Sequence, residues 1–355
     1  MNQFHKHLPI SVLLIIGLVA CASKTIPTSM PVQPNQVPQA TLPSPTATLP
    51  KVHLKVGIQS FFAYGPFFIA QDRGYFAEQG LDVEFVNFNN TADSIPALLQ
   101  GQLDVMSGLL TVNTLSAIAQ GGNIKYVADR GYLDPAICSG NAFVARKGLV
   151  DSGELNDLSN LAGKKISTTK NTIAEYALDM LLQKANLTQA DIQFVTISQN
   201  QARLEALGSG AIDVVSFSEP WVTDARNAGN GDSWQTFESI LPNGQYGLVF
   251  YGPNLLTKNP DAGKSFMMAY LKGVRDYEEG KTNSNIAILS KYTGETPAEL
   301  QQICWQAFRL DGSINTQTLL DFQAWAIKKG YLTTSLSLGQ LWDPDFIDQA
   351  NAILK

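Results

Sequence analysis

Ala97-Leu98-Leu99-Gln100-Gly101-Gln102-Leu103-Asp104-Val105 recurs as Ala206-Leu207-Gly208-Ser209-Gly210-Ala211-Ile212-Asp213-Val214, at a constant offset of 109 residues. Each copy reads as the end of a helix, a glycine able to take positive φ, and a short apolar strand. The shared Gly-x-[Leu/Ile]-Asp-Val predicts two related lobes. Around the first copy, Val52 to Ile58 alternates with period two, Pro66 opens a helical stretch stopped by Gly80, and Leu81 to Phe88 reads as a strand. A helix over 91–100 and a strand from Leu103 to Met106 complete a β-α-β-α-β order, which predicts an α/β sheet open at its edges.

Two further strand-like runs, Asn141 to Arg146 and Tyr246 to Tyr251, bracket about 100 residues and are read as the connections to an inserted second lobe. From about residue 252 the chain is helical. Thr296-Pro297-Ala298-Glu299 is a capping box, and Leu319, Phe322, Ala326 and Ile327 form one helix face ending at Gly330. These helices are expected to pack back on the first lobe. The resulting partition is 51–140 with 252–355 as lobe 1 and 141–251 as lobe 2, an α/β clamshell with a ligand-sized cleft.

The N-terminus reads as an export signal: a partly basic start, an apolar run from Ile10 to Val19 too short to span a bilayer, and small residues before Cys21. Leu18-Val19-Ala20-Cys21 resembles a bacterial lipobox, so Cys21 is the expected lipidation site after removal of residues 1–20. Lys24 to Pro50 holds seven prolines and neither glycine nor acid, the composition of an extended tether. Cys138 and Cys304 could pair in an exported protein or remain two buried free thiols.

Composition excludes several functions. The chain has 355 residues, 45% hydrophobic and 16% charged, with a formal charge of −6, so it offers a core and no basic footprint for nucleic acid. Its three histidines are His5, His7 and His53, and the first two fall in the removed segment. One histidine supports neither a multi-His metal site nor much triad chemistry. Gly263-Lys264-Ser265 lacks the earlier glycine of a P-loop, and Ala228-Gly229-Asn230-Gly231 lacks the third glycine of a dinucleotide loop. No cofactor or metal is expected.

Gly74-Tyr75-Phe76-Ala77-Glu78-Gln79-Gly80-Leu81-Asp82-Val83-Glu84-Phe85 resembles the signature after the first helix of the NMT1/THI5-like substrate-binding proteins of ABC importers. Leu99 to Val105, Leu161 to Ser167 and Glu219-Pro220-Trp221 fit the same family. The resemblance implies a type II periplasmic-binding-protein fold, a small-molecule ligand, and permease and ATPase partners. A monomer is expected, held at the outer face of a membrane by its lipid. Fungal enzymes of this fold make the thiamine pyrimidine with a cysteine-rich motif that this chain lacks, so no enzyme activity is expected.

Open α/β sheets bind ligands at strand C-terminal ends. The candidates are therefore Ser60, Phe61 and Tyr64 after the first strand, and Ser107 and Gly108 after the third. Asn171 and Thr172 lie in the hydroxyl-rich loop Thr168–Thr172, and Glu219, Trp221 and Tyr246 complete the set. Aromatic faces and polar edges suit a flat vitamin-type heterocycle. Riboflavin is expected first and a thiamine pyrimidine precursor second, with Glu219 accepting its N–H bonds by the family resemblance. A sulfonate, nitrate or taurine ligand held by the Thr168–Thr172 loop is the alternative, and a non-transport sensor is the remaining rival.

Overall fold

A computed structural model describes residues 51–354. The expected export signal, Cys21 and the proline-rich tether lie outside the described residues. The fold is built on two five-stranded mixed sheets with helices on their faces. The first contains β1 (Val52–Ile58), β2 (Leu81–Asn87), β3 (Val105–Leu109), β4 (Lys125–Asp129) and β10 (Gly247–Tyr251), in the order β2-β1-β3-β10-β4. The second contains β5 (Asn141–Arg146), β6 (Lys165–Ser167), β7 (Gln193–Phe194), β8 (Val214–Ser218) and β9 (Gly231–Thr236), in the order β7-β6-β8-β5-β9.

The repeat is the shared centre of both sheets. In each copy a helix ends, a glycine follows at φ 71° (Gly101) or 76° (Gly210), and the strand begins. Gly101 N–H donates to Leu98 O and Gly210 N–H to Leu207 O, closing orphan carbonyls of the preceding helix. The aspartate then ties the new strand to its parallel neighbour. Asp104 Oδ2 accepts from Lys55 N–H at 2.7 Å, and Asp213 Oδ2 accepts from Lys165 N–H at 3.0 Å. Beyond the repeat the ladders also match. Leu248 lies opposite Asp129 with a bulge after Val249, and Ala142 lies opposite Thr236 with a bulge after Phe143.

Two expectations need correction. Residues 246–251 were read as a connecting strand, but β10 is buried at every position and lies between β3 and β4. Asn141–Arg146 is likewise an interior strand of the second sheet. The chain therefore passes between the sheets at 130–140 and 237–246, the segments joining β4 to β5 and β9 to β10. Second, the C-terminal helices do not all return to the first lobe. The Pro260–Tyr277 helix does, approaching so closely that a Cβ on Gly273 would lie 2.2 Å from Pro66 O. The Thr316–Lys328 helix instead reaches the second lobe, where Trp325 Nε1 donates to Asp179 Oδ2 at 2.7 Å and Phe322 meets Tyr176. Ile327 is exposed, and Trp325 takes its place on the buried face. Of the two states open to Cys138 and Cys304, pairing holds: they form a disulfide, with Cα atoms 5.7 Å apart.

One apolar cluster accordingly runs through both lobes, joining Leu115, Leu178, Phe322 and Trp325. A second fills the first sheet's other face around Phe67, Tyr251 and Tyr270. Among the described residues, no helix is long and apolar enough to cross a membrane.

Candidate functional site

Between the sheets lies a cleft of about 650 Å³, within the usual range for small-molecule sites. Six of the expected residues line it: Phe61, Asn171, Thr172, Glu219, Trp221 and Tyr246. Ser60, Tyr64, Ser107 and Gly108 do not. Ser60 is exposed and donates to Asn87 Oδ1 at 2.7 Å. The 3₁₀ turn Phe62–Tyr64 brings Tyr64 beneath Phe61, their rings edge-on at 5.1 Å, so Phe61 meets the cleft while Tyr64 is wholly buried. Tyr64 OH donates to Ser107 O at 3.1 Å, which places both behind the wall. Gly108 makes room for Thr91, whose Oγ1 would lie 2.3 Å from an added Cβ.

The Thr168–Thr172 loop is spent on its own structure. Thr172 caps the Ile173–Lys184 helix, accepting from Ala174 N–H and donating to Thr169 O. Asn171, at φ 61°, donates its N–H to the buried Glu175 carboxylate at 2.6 Å. Thr168 Oγ1 bonds Ser216 Oγ at 2.7 Å. Asn171 O accepts from Val112 N–H of the opposite lobe at 2.8 Å, closing one end of the cleft. Asn171 N–H on Glu175 and the Thr168 and Thr172 hydroxyls are thus bonded to protein, while Thr169, Lys170, Asn171 and Thr172 line the cleft.

Glu219 is also engaged. Its Oε2 accepts from Thr223 N–H, and its Oε1 accepts from Thr223 Oγ1 and from Cys304 N–H at 3.3 Å. Burial raises its pKa, and the Thr223 and Cys304 bonds pull it back. The carboxylate thus holds the start of the Trp221–Asn227 helix, and Glu219 still lines the cleft. Trp221 packs against Phe217, with centroids 6.3 Å apart and planes at 27°. Tyr246 OH bonds Ser218 Oγ at 2.9 Å, and burial raises its pKa.

Arg130, which sequence reasoning missed, dominates the first lobe's wall. It directly follows β4, is 1% exposed, and lines the cleft. Its guanidinium carbon lies 4.9 Å from the Tyr64 ring centre, and Nε has no hydrogen-bond partner among the described residues. Gly247 permits this placement, since an added Cβ would lie 2.6 Å from that carbon. The neighbouring Asp129 does not neutralise it. Asp129 accepts instead from Gly131 N–H, Gln245 Nε2 and Arg309 N–H, while burial pushes its pKa up to about 6. The available signal was position: a charged residue at a strand's C-terminal end.

Among the described residues, the charged groups lining the cleft are Arg130, Lys170 and Arg203 against the carboxylate of Glu219. A chain of formal charge −6 thus has a net positive cleft. Among the described residues no group of three or more His, Cys, Asp or Glu could hold a metal. His53 lies away from the cleft, bonded to Asp82 and Glu84 on an exposed strand face.

A family model described as NMT1/THI5 like matches residues 62–279, which contain the Gly74–Phe85 motif, both repeat copies and the cleft's central loops. The chain belongs to this family. Family relatives include the 4-amino-5-hydroxymethyl-2-methylpyrimidine phosphate synthase THI11 of Saccharomyces cerevisiae, 27% identical over 222 residues. That match covers 60% of this chain and 62% of the yeast protein's length. The putative binding protein YtlA of Bacillus subtilis is 22% identical over 320 residues, 86% of this chain and 91% of that protein. The periplasmic nitrate-binding protein NrtA of Synechocystis PCC 6803 superposes with a TM-score of 0.70 at 16% identity, covering 86% of this chain and 89% of that one. The two-lobe periplasmic-binding-protein fold of this NMT1/THI5-like chain follows from that likeness.

Proposed function

We propose that this protein is the extracytoplasmic solute-binding component of an ABC importer and that its solute is an organic anion. The family and the naming of YtlA as a binding protein support the transport role. One observation carries the ligand class: the Arg130 guanidinium is buried in the cleft wall without a carboxylate partner among the described residues. An isolated buried charge costs several kcal/mol, and a bound anion offsets that cost. This favours the sulfonate-type alternative over riboflavin or a neutral pyrimidine and moves its centre from the Thr168–Thr172 loop to Arg130. A nitrate ion would fill little of a 650 Å³ cleft, so a larger organic anion fits better. In this reading residues 51–129 and 247–355 form one lobe, except for the Thr316–Lys328 helix that also packs on the other, and residues 141–236 form the second lobe. Lipid on Cys21 and the tether hold them near the permease.

A thermal-shift panel of alkanesulfonates, taurine, benzoate, nitrate, riboflavin and aminopyrimidines tests the reading. A true ligand at ~100 times Kd stabilises by about 2.7 kcal/mol. Organic anions are expected to raise the melting temperature and neutral heterocycles to leave it unchanged. Stabilisation by riboflavin or an aminopyrimidine, with none by any anion, overturns the proposal.

A further inference from the structure

A second unpaired cation faces the same cleft from the other lobe. Arg203, on the Asn200–Gly208 helix, is 5% exposed and lines the cleft. Its Nε donates to Ile197 O at 2.6 Å and its Nη2 to Thr169 Oγ1 at 3.2 Å, both neutral acceptors. Four of the chain's seven arginines have carboxylate partners, Arg73 with Asp276, Arg146 with Asp213, Arg226 with Asp232 and Arg309 with Asp129, while the partly exposed Arg275 bonds Leu354 O and Asn351 Oδ1 away from the cleft. Arg203, like Arg130, has none among the described residues. Burial pulls its pKa down, but a guanidinium stays protonated at neutral pH. Lys170 adds an exposed ammonium over the Phe194 ring on the same lobe.

The consequence is a charge count. Three cations face one carboxylate whose oxygens already accept from Thr223 and Cys304. A monoanion neutralises one arginine and leaves the other buried without a counter-ion, whereas two anionic groups satisfy both. The apolar lining, including Phe61, Phe217, Trp221 and Phe237, suits a ring-sized body between them. Resting on the anion reading above, we infer that the solute is a dianion: two separated anionic groups on an apolar body. Arg130 of the first lobe holds one group and Arg203 of the second holds the other. Such a ligand touches both lobes and so selects the closed cleft.

Calorimetric titration of the full chain with terephthalate, its mono-amide terephthalamate, and benzoate tests this. The amide keeps the shape and removes one charge. Terephthalate is expected to bind at least about tenfold tighter than terephthalamate, the scale of one charge-assisted hydrogen bond. In Arg203→Met that ratio is expected to collapse to within about twofold, with Arg203→Lys retaining part of it. Equal affinity for terephthalate and terephthalamate in the natural protein, or discrimination that persists in Arg203→Met, overturns the inference while leaving the anion reading intact. Binding by none of the three, with neutral heterocycles binding instead, overturns both. Should Arg203→Met fail to fold by circular dichroism, the terephthalate–terephthalamate pair on the natural protein still decides.

Discussion

The two lobes share one ladder and differ where the ladder stops. β4 and β9 occupy equivalent edges, pair with equivalent strands, and carry a bulge at the same step. The residue after β4 is Arg130; the residue after β9 is Phe237; both are 1% exposed, and both line the cleft. One lobe therefore places a charge where the other places a ring. The backbone repeats because hydrogen-bond geometry repeats, while the positions just past the strands are free to diverge and so hold the ligand chemistry.

That comparison can be broken by stability measurements of opposite sign. Phe237 packs against Phe143 at 5.0 Å and Tyr246 at 6.1 Å between ring centres. Phe237→Ala is expected to destabilise the protein by about 3–5 kcal/mol, as for other buried aromatics. Chemical denaturation monitored by circular dichroism measures it, and a loss under about 1 kcal/mol would mean that the site collapses around the smaller residue. Arg130→Met should act the other way. It removes an unpaired buried charge and keeps an apolar side chain, so the ligand-free protein is expected to gain about 1–4 kcal/mol, the range seen when buried charges give way to hydrophobes. The same variant should lose its stabilisation by organic anions. A destabilised Arg130→Met would show that the Tyr64 ring already compensates the guanidinium, and the contrast between the two positions would reduce to packing.

How much of this was legible in the sequence follows from what each feature demands of residue type. The repeat was readable because a left-handed turn requires glycine, and an aspartate bonding its neighbour's backbone recurs with it. The strands β5 and β10 were readable as apolar runs, but such a run carries no mark of its partner, so their places inside the sheets were not. Phe61 and Tyr64 looked alike, but Phe61 is the extended N-cap residue while Tyr64 lies inside the 3₁₀ turn, and only Tyr64 is carried inward. Glu219 reached the cleft wall as its position suggested. Its oxygens were claimed by Thr223 four residues on and by Cys304, a contact 85 residues away that no local pattern encodes. Arg130 and Arg203 stayed hidden because an arginine in sequence reads as a surface charge, and only the fold shows that neither has a carboxylate partner among the described residues.

The smallest expected effect tests whether the shared ladder is energetic as well as geometric. Asp104 bonds Lys55 N–H and accepts from Asn254 Nδ2 at 2.8 Å; Asp213 bonds Lys165 N–H and accepts from Arg146 Nη2 at 3.2 Å. In both, a carboxylate accepts from the backbone amide one residue before the parallel pairing with the repeat's strand begins. Asp104→Ala and Asp213→Ala are each expected to cost about 1–3 kcal/mol, the usual range for a hydrogen bond to a charged group and the desolvated donor it leaves. The exposed part of the Arg146 pair adds little, because solvent screens it. Since the two sites lie in different sheets with no shared partner, the double variant should be additive to within about 0.5 kcal/mol. Amide hydrogen exchange supplies the local readout: Lys55 N–H should lose protection in one variant and Lys165 N–H in the other. If one aspartate carries the whole cost and the other none, the two copies share a shape without sharing a stabilising role.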